Sequence, residues 1–159
     1  MIILGIDPGL ERVGYGVIRR EGSRLEVLAH GLIQTPRVAI TERLAQIHNE
    51  VLTLIETHRP DAMATERQIF AANKTTAFDV AKALGVILLA SNEKGLEWAE
   101  YTPPEIKLAV VGNGAADKKQ VEFMVTKLLN LAKPPKPDDV ADALAIAICH
   151  AMRSRIRLG

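Results

Sequence analysis

The segment from Asp139 to Met152, DVADALAIAICHAM, constrains the fold more than any other part of the chain. Helix formers follow one another without a break, and nearly every position after Asp142 is apolar, so a helix here must be covered on most of its faces. It is shorter than the roughly 20 apolar residues of a membrane span, so the rest of the chain has to provide the cover. Asp142 stands at the edge of that apolar run, where an unpaired carboxylate is costly, and it needs a partner. Asp139 lies three residues earlier and shares a helix face with it. Asp138, next to Asp139, is the expected cap of the helix, and capping or compensation of the helix dipole would account for Asp138 and Asp139 alike.

The cover is a sheet. Ile2 to Asp7 is a nearly continuous apolar run ending in Asp-Pro-Gly, which predicts a buried strand stopped by a turn. Val13 to Arg19 and Leu25 to Gln34 predict two further strands joined at Glu21-Gly22-Ser23, an antiparallel meander. From Thr41, the expected cap, Leu44, Ile47, Val51, Leu54 and Ile55 recur at helical spacing to about His58. Arg59-Pro60-Asp61 ends that helix, and Ala62 to Glu66 predicts a strand parallel to its neighbour. Thr75 to Lys94 predicts a helix and Leu96 to Tyr101 a fifth strand. A short helix follows from Pro103, then one from Lys118 to Leu129 capped by Asp117, and Lys133 to Pro137 forms a stiff connector before the last helix. This order describes an α/β fold, a mixed five-stranded sheet with helices on both faces, as in ribonuclease-H-like proteins; ferredoxin-like and flavodoxin-like arrangements compete with it.

At 159 residues with 48% hydrophobic content the chain fits one domain with a real core. Its one cysteine, Cys149, lies in the apolar helix and reads as a core residue. No signal peptide or membrane span is evident, so a reducing cytoplasm is the expected location. The net charge of +1, from 20 Lys+Arg against 19 Asp+Glu, gives no vote for nucleic acid by itself. Arg153, Arg155 and Arg157 nevertheless make a basic tail. The histidines, His30, His48, His58 and His150, read as surface or packing residues.

Asp7 and Glu66 each end a strand that is otherwise apolar, and parallel neighbouring strands would bring both carboxylates to one edge of the sheet, where α/β proteins place ligands. Turn capping or simple solvation would account for either acid alone. With Asp139 and Asp142 they make four acids in one cleft, each close pair repelling by roughly 4 kcal/mol at 4 Å and an effective dielectric of 20. Divalent cations resolve the conflict. All-oxygen ligands select Mg²⁺ or Mn²⁺ over Zn²⁺, with Asp7 expected to bridge two cations about 4 Å apart in a site that hydrolyses phosphodiesters.

The run Met1 to Gly9 (MIILGIDPG), Gly14-Tyr15-Gly16-Val17, Ala64-Thr65-Glu66, Val110 to Gly114 (VVGNG) with Lys118, and Asp139 to Ala147 (DVADALAIA) follow one another over essentially the whole chain. In that order they resemble the RuvC-type Holliday-junction resolvases. The resemblance implies that Asp7, Glu66, Asp139 and Asp142 are catalytic acids and metal ligands, and that Lys107 and Lys118 lie near the scissile phosphate, Lys118 neutralising its charge. It also implies a homodimer that cuts two opposed strands of a four-way DNA junction with Mg²⁺, in recombination and repair, beside a branch-migration helicase complex. The residues after Glu66, Arg67 included, match the family's DNA-probing segment. Ile69 stands where the family usually has an aromatic residue, so base stacking is expected to rest on Phe70.

Three other readings compete. An actin-like kinase shares the opening strand, but it needs two such domains and a second phosphate loop. A nuclease of structured RNA or an exonuclease would keep the fold and change the substrate. A catalytically silent junction-binding protein is disfavoured because all four acids are present.

Overall fold

In the computed structural model, which describes residues 1–69 and 74–154, the elements are β1 (Ile2–Asp7), β2 (Arg12–Glu21), β3 (Arg24–Gln34), α1 (Ile40–His58), β4 (Ala62–Glu66), α2 (Lys74–Glu93), β5 (Glu97–Tyr101), α3 (Pro103–Val111), α4 (Lys118–Leu128) and α5 (Asp138–Arg153). Phe70, Arg155 and Arg157 lie outside the described residues. The strands pair in the order β3-β2-β1-β4-β5, with β1 antiparallel to β2 and parallel to β4. This is the ribonuclease-H-like arrangement that the element order predicts.

The continuous apolar run of β1 is explained by its place as the middle strand, covered on both faces. Its residues alternate between two cores. Leu4 and Ile6 join Val13, Val17 and Met63 under α1 and α2, while Ile3 joins Ile18, Ala64 and most of α5, backed by α3 and α4. Asp7 therefore belongs by alternation to the α5 face, and so does Glu66, two residues beyond Ala64.

The apolar helix α5 is buried from Val140 to Cys149 except at Asp142, and Cys149 is a core residue as expected. Burying Leu144, Ile146 and Ile148 stabilises the fold by about 1.5–3 kcal/mol each. Its close seating on the sheet depends on three glycines. Gly5 pairs with Gly16 across β1 and β2, and Asp7 pairs with Gly14. A Cβ at Gly5 would strike the Ala143 carbonyl oxygen and lie 2.8 Å from Ala147 Cβ; one at Gly16 would lie 2.5 Å from Leu144 Cδ2; one at Gly14 would strike the Asp139 carbonyl oxygen. The helix backbone thus rests where side chains would otherwise stand.

Two expected caps are corrected. α1 starts at Ile40 behind Ala39, with no side-chain cap, so Thr41 lies inside the first turn. Asp138 is likewise not a cap: the N-cap of α5 is Pro137, which fixes an extended entry, and Asp138 is the first helical residue. Asp117 does cap α4, in a capping box with Gln120. Among the described residues no helix is long and apolar enough to cross a membrane.

Candidate active site

The strand register brings the first two acids together. Ile6 pairs with Thr65 across β1 and β4, so Asp7 and Glu66 are the next residues along two parallel neighbours, on one face of the sheet. The glycine seat brings the other two. Gly14, directly across from Asp7, lies under the start of α5 at Asp139, and Asp142 follows one helical turn later.

The four carboxylates act on one another electrostatically. Burial, then the charges of Asp142, Asp139 and Glu66, push the Asp7 carboxyl up to about 8, against a small opposing pull from Lys118. Burial and Asp142 also raise Glu66, with Lys107 and Lys118 opposing. Burial raises Asp142, with Lys118 opposing and Asp138 and Asp139 adding to the rise. Lys118 is raised in turn, first by Asp142. Asp7 thus responds to all three of the other acids, and Asp142 to Asp139, so these carboxylates share one electrostatic centre.

The centre is not a closed cage. Among the described residues no three Asp, Glu, His or Cys side chains stand close enough together to hold a metal ion. Basic side chains border the acids. Lys118 Nζ lies 3.4 Å from Asp138 Oδ2 and 3.8 Å from Asp142 Oδ2, and Arg12 Nε lies 3.4 Å from Asp139 Oδ2. The donor set still fits a hard divalent cation: every donor is a carboxylate oxygen, and Asp7, buried among other acids, keeps its proton up to about 8 unless a bound cation compensates its charge.

Two open clefts flank the acids. One, of about 280 Å³, is lined by Glu66, Lys107, Lys118, Asp142 and the apolar Ile106 and Val121. The other, of about 550 Å³, is lined by Arg12, Lys118, Lys136, Asp138, Asp139 and Asp142. Lys107 and Lys118 both line the first cleft beside Glu66 and Asp142. Arg67 projects past the end of β4, half exposed, with Nε 3.0 Å from Glu100 Oε1. Ile69, next to Phe70, is 67% exposed. Sequence reasoning missed Arg12 and Lys136, which reach the site from other elements and carry no spacing signal, and the ion pairing of Asp138, which depends on where Lys118 and Lys136 end up.

The profile of the family described as "Crossover junction endodeoxyribonuclease RuvC" matches residues 3–150. The chain belongs to the RuvC family. The RuvC of Alkaliphilus oremlandii is 53% identical over 152 residues, covering 95% of this chain and 93% of the relative. The RuvC of Halothermothrix orenii is 48% identical over 157 residues, covering 98% and 95%. The solved structure of T. thermophilus RuvC in complex with Holliday junction substrate is 38% identical and superposes with a TM-score of 0.91, covering 96% of this chain and 93% of that one. The matched range runs from β1 to the last turn of α5.

Proposed function

We propose that this RuvC-family chain is a metal-dependent endonuclease that resolves four-way DNA junctions by paired cuts, with Asp7, Glu66, Asp139 and Asp142 as its metal-holding acids. The observation that carries the reading is the placement of Asp7 and Glu66 at adjacent parallel strand ends, with the start of α5 and its Asp139 seated over Gly14 across from Asp7, in a chain of this family. Mg²⁺, with Mn²⁺ able to replace it, would supply an acidified water for attack on phosphorus and charge for the leaving oxygen. Asp7 is central because it feels all three partners. Glu66 and Lys107 border the smaller cleft together, so Lys107 faces the phosphate beside the acid it moderates. Lys118 borders both clefts and is held by Asp138 and Asp142, a position suited to neutralising charge that develops on the phosphate. Arg67 and Phe70, one and four residues after Glu66, are assigned to DNA contact at the junction.

The direct test is cleavage of a synthetic four-way junction beside linear duplex in Mg²⁺. Wild type should nick the junction symmetrically and leave the duplex intact. Asp139→Asn should lose turnover, by about 10³-fold or more where a metal-holding acid is removed. Asp138→Asn should retain most of it, because that side chain is exposed and only steadies Lys118 and Lys136. An inactive Asp138→Asn beside an active Asp139→Asn would reverse the assignment.

The homodimer is assigned to α2. The Ala77 to Ala90 face divides in the structure: Ala83, Ile87 and Ala90 are buried, while Phe78 is 63% and Leu89 50% exposed, with Ala81 and Gly85 between them on the open side. Spacing of three and four residues lines these up as a stripe with a flat centre at Gly85, which suits pairing across a two-fold axis. Leu89→Lys should convert the dimer to a monomer in size-exclusion chromatography with light scattering. A variant that stays dimeric would move the interface elsewhere.

A further inference from the structure

Two cations on the Asp139 side of the centre have no part in the chemistry above. Arg12 opens β2 and has half its side chain exposed beside Asp139. Lys136 comes from the α4–α5 connector, is 65% exposed, and lies 3.0 Å from Glu122 Oε2 and 3.9 Å from Asp138 Oδ1. They come from separate elements and line the same 550 Å³ cleft, which meets the Lys107 cleft at Lys118 and Asp142. A DNA strand drawn across the acids has to place a phosphate on each side of the cut. Lys107 and Lys118 receive one side; on the other, the described cations lining the cleft beyond Lys118 are Arg12 and Lys136.

We propose that Arg12 and Lys136 form a binding subsite for the phosphate adjacent to the scissile one, on the Asp139 side, and so fix which phosphodiester of the strand lies over the acids. The inference rests on the nuclease reading and assigns the strand's path within it. The present ion pairs do not oppose it: although Asp139 and Glu122 are only about a quarter exposed or less, both cations keep half or more of their side chains open to solvent, so each has a free side for a phosphate, which a guanidinium can grip with two parallel hydrogen bonds. Each contact fixes register and affinity without reading a base.

The test uses the full chain and four-way junctions carrying a neutral methylphosphonate at the position immediately 5′ or 3′ of the cut, with binding measured in Ca²⁺ over a range of salt. For wild type, neutralising one of the two positions should weaken binding about tenfold. The double variant Arg12→Gln/Lys136→Gln should bind the unmodified junction about tenfold more weakly or worse, with a salt slope lower by about 1–2, and should no longer sense the methylphosphonate. Lys136→Gln alone, which touches none of the four acids, should show part of each effect and guards against a misfolded double variant. Equal binding and equal salt slope for wild type and both variants would overturn the subsite, as would a methylphosphonate penalty undiminished in the variants. Wild type that shows no preference for the junction over linear duplex would instead sink the nuclease reading, and the subsite with it.

Discussion

Asp7→Asn is expected to abolish junction cleavage and, in metal-free buffer at pH 8, to make the protein more stable than wild type. The Asp7 carboxyl sits near 8 in the fold, against 3.8 ordinarily, because burial and then Asp142, Asp139 and Glu66 disfavour its charge. Between those two values the folded chain holds a proton that the unfolded chain has released. Stability from this group therefore falls as pH rises from about 4 to about 8 and levels off once both states are ionised. An asparagine has no proton to lose. The gap between variant and wild type should be small near pH 4, widen through neutrality and be greatest from pH 8 upward, on the order of a few kcal/mol. For a domain of this size that is roughly 5–10 °C in Tm, which thermal unfolding in EDTA would read.

Added Mg²⁺ should reverse the order. A cation that binds only the folded chain stabilises it by about 2.7 kcal/mol at 100 times its dissociation constant. Wild type should gain accordingly, and Asp7→Asn, lacking the central carboxylate, should gain little. Junction binding in the variant should persist through Lys107, Lys118 and the residues after Glu66. An Asn variant no more stable than wild type in EDTA at pH 8 would mean that the four acids are not coupled as described.

Three of the acids were legible in the sequence because each borders an apolar segment: Asp7 and Glu66 close buried strands, and Asp142 stands at the edge of the long apolar run of α5, so burial and charge conflict visibly in one dimension; Asp139 was named through its interval to Asp142 and the resemblance. The order of strands and helices along the chain followed from the change of periodicity after Gln34, while the strand order in the sheet is a finding of the structure. What stayed hidden depends on contacts between distant elements. Asp138 reads as a cap until Pro137, its neighbour, is seen to hold the N-cap position. Thr41 reads as a cap although α1 starts before it. Arg12 is unremarkable beside Gly9, and only the packing of α5 against β2 brings it to Asp139. Gly5, Gly14 and Gly16 look like weak points in strands, because a glycine's purpose lies in what approaches it.

Gly14→Ala should uncouple the site from the fold. The added Cβ would meet the carbonyl oxygen of Asp139 and, at 3.1 Å, its Cβ. Backbone cannot yield as a long side chain would, so the first turn of α5 has to lift from β2. That turn carries Asp139 and leads into Asp142, while Asp7, across from Gly14, stays on β1. Because the clash falls at the end of the helix, the rest of α5 can keep its seat on Gly5 and Gly16, and the stability cost should stay near about 1–3 kcal/mol. Cleavage should fall far more, by about 10²-fold or beyond, since a displacement of 1 Å at a reacting centre costs that much. Gly5→Ala makes the contrast: its Cβ meets Ala143 and Ala147 at mid-helix, where no end is free to lift, so it should destabilise the whole chain more and lose activity only in step with folding. Tm and single-turnover cleavage measured on both variants separate the two cases. If Gly14→Ala lost stability as heavily as Gly5→Ala, or kept full activity, α5 would not be the lever that sets Asp139 against Asp7.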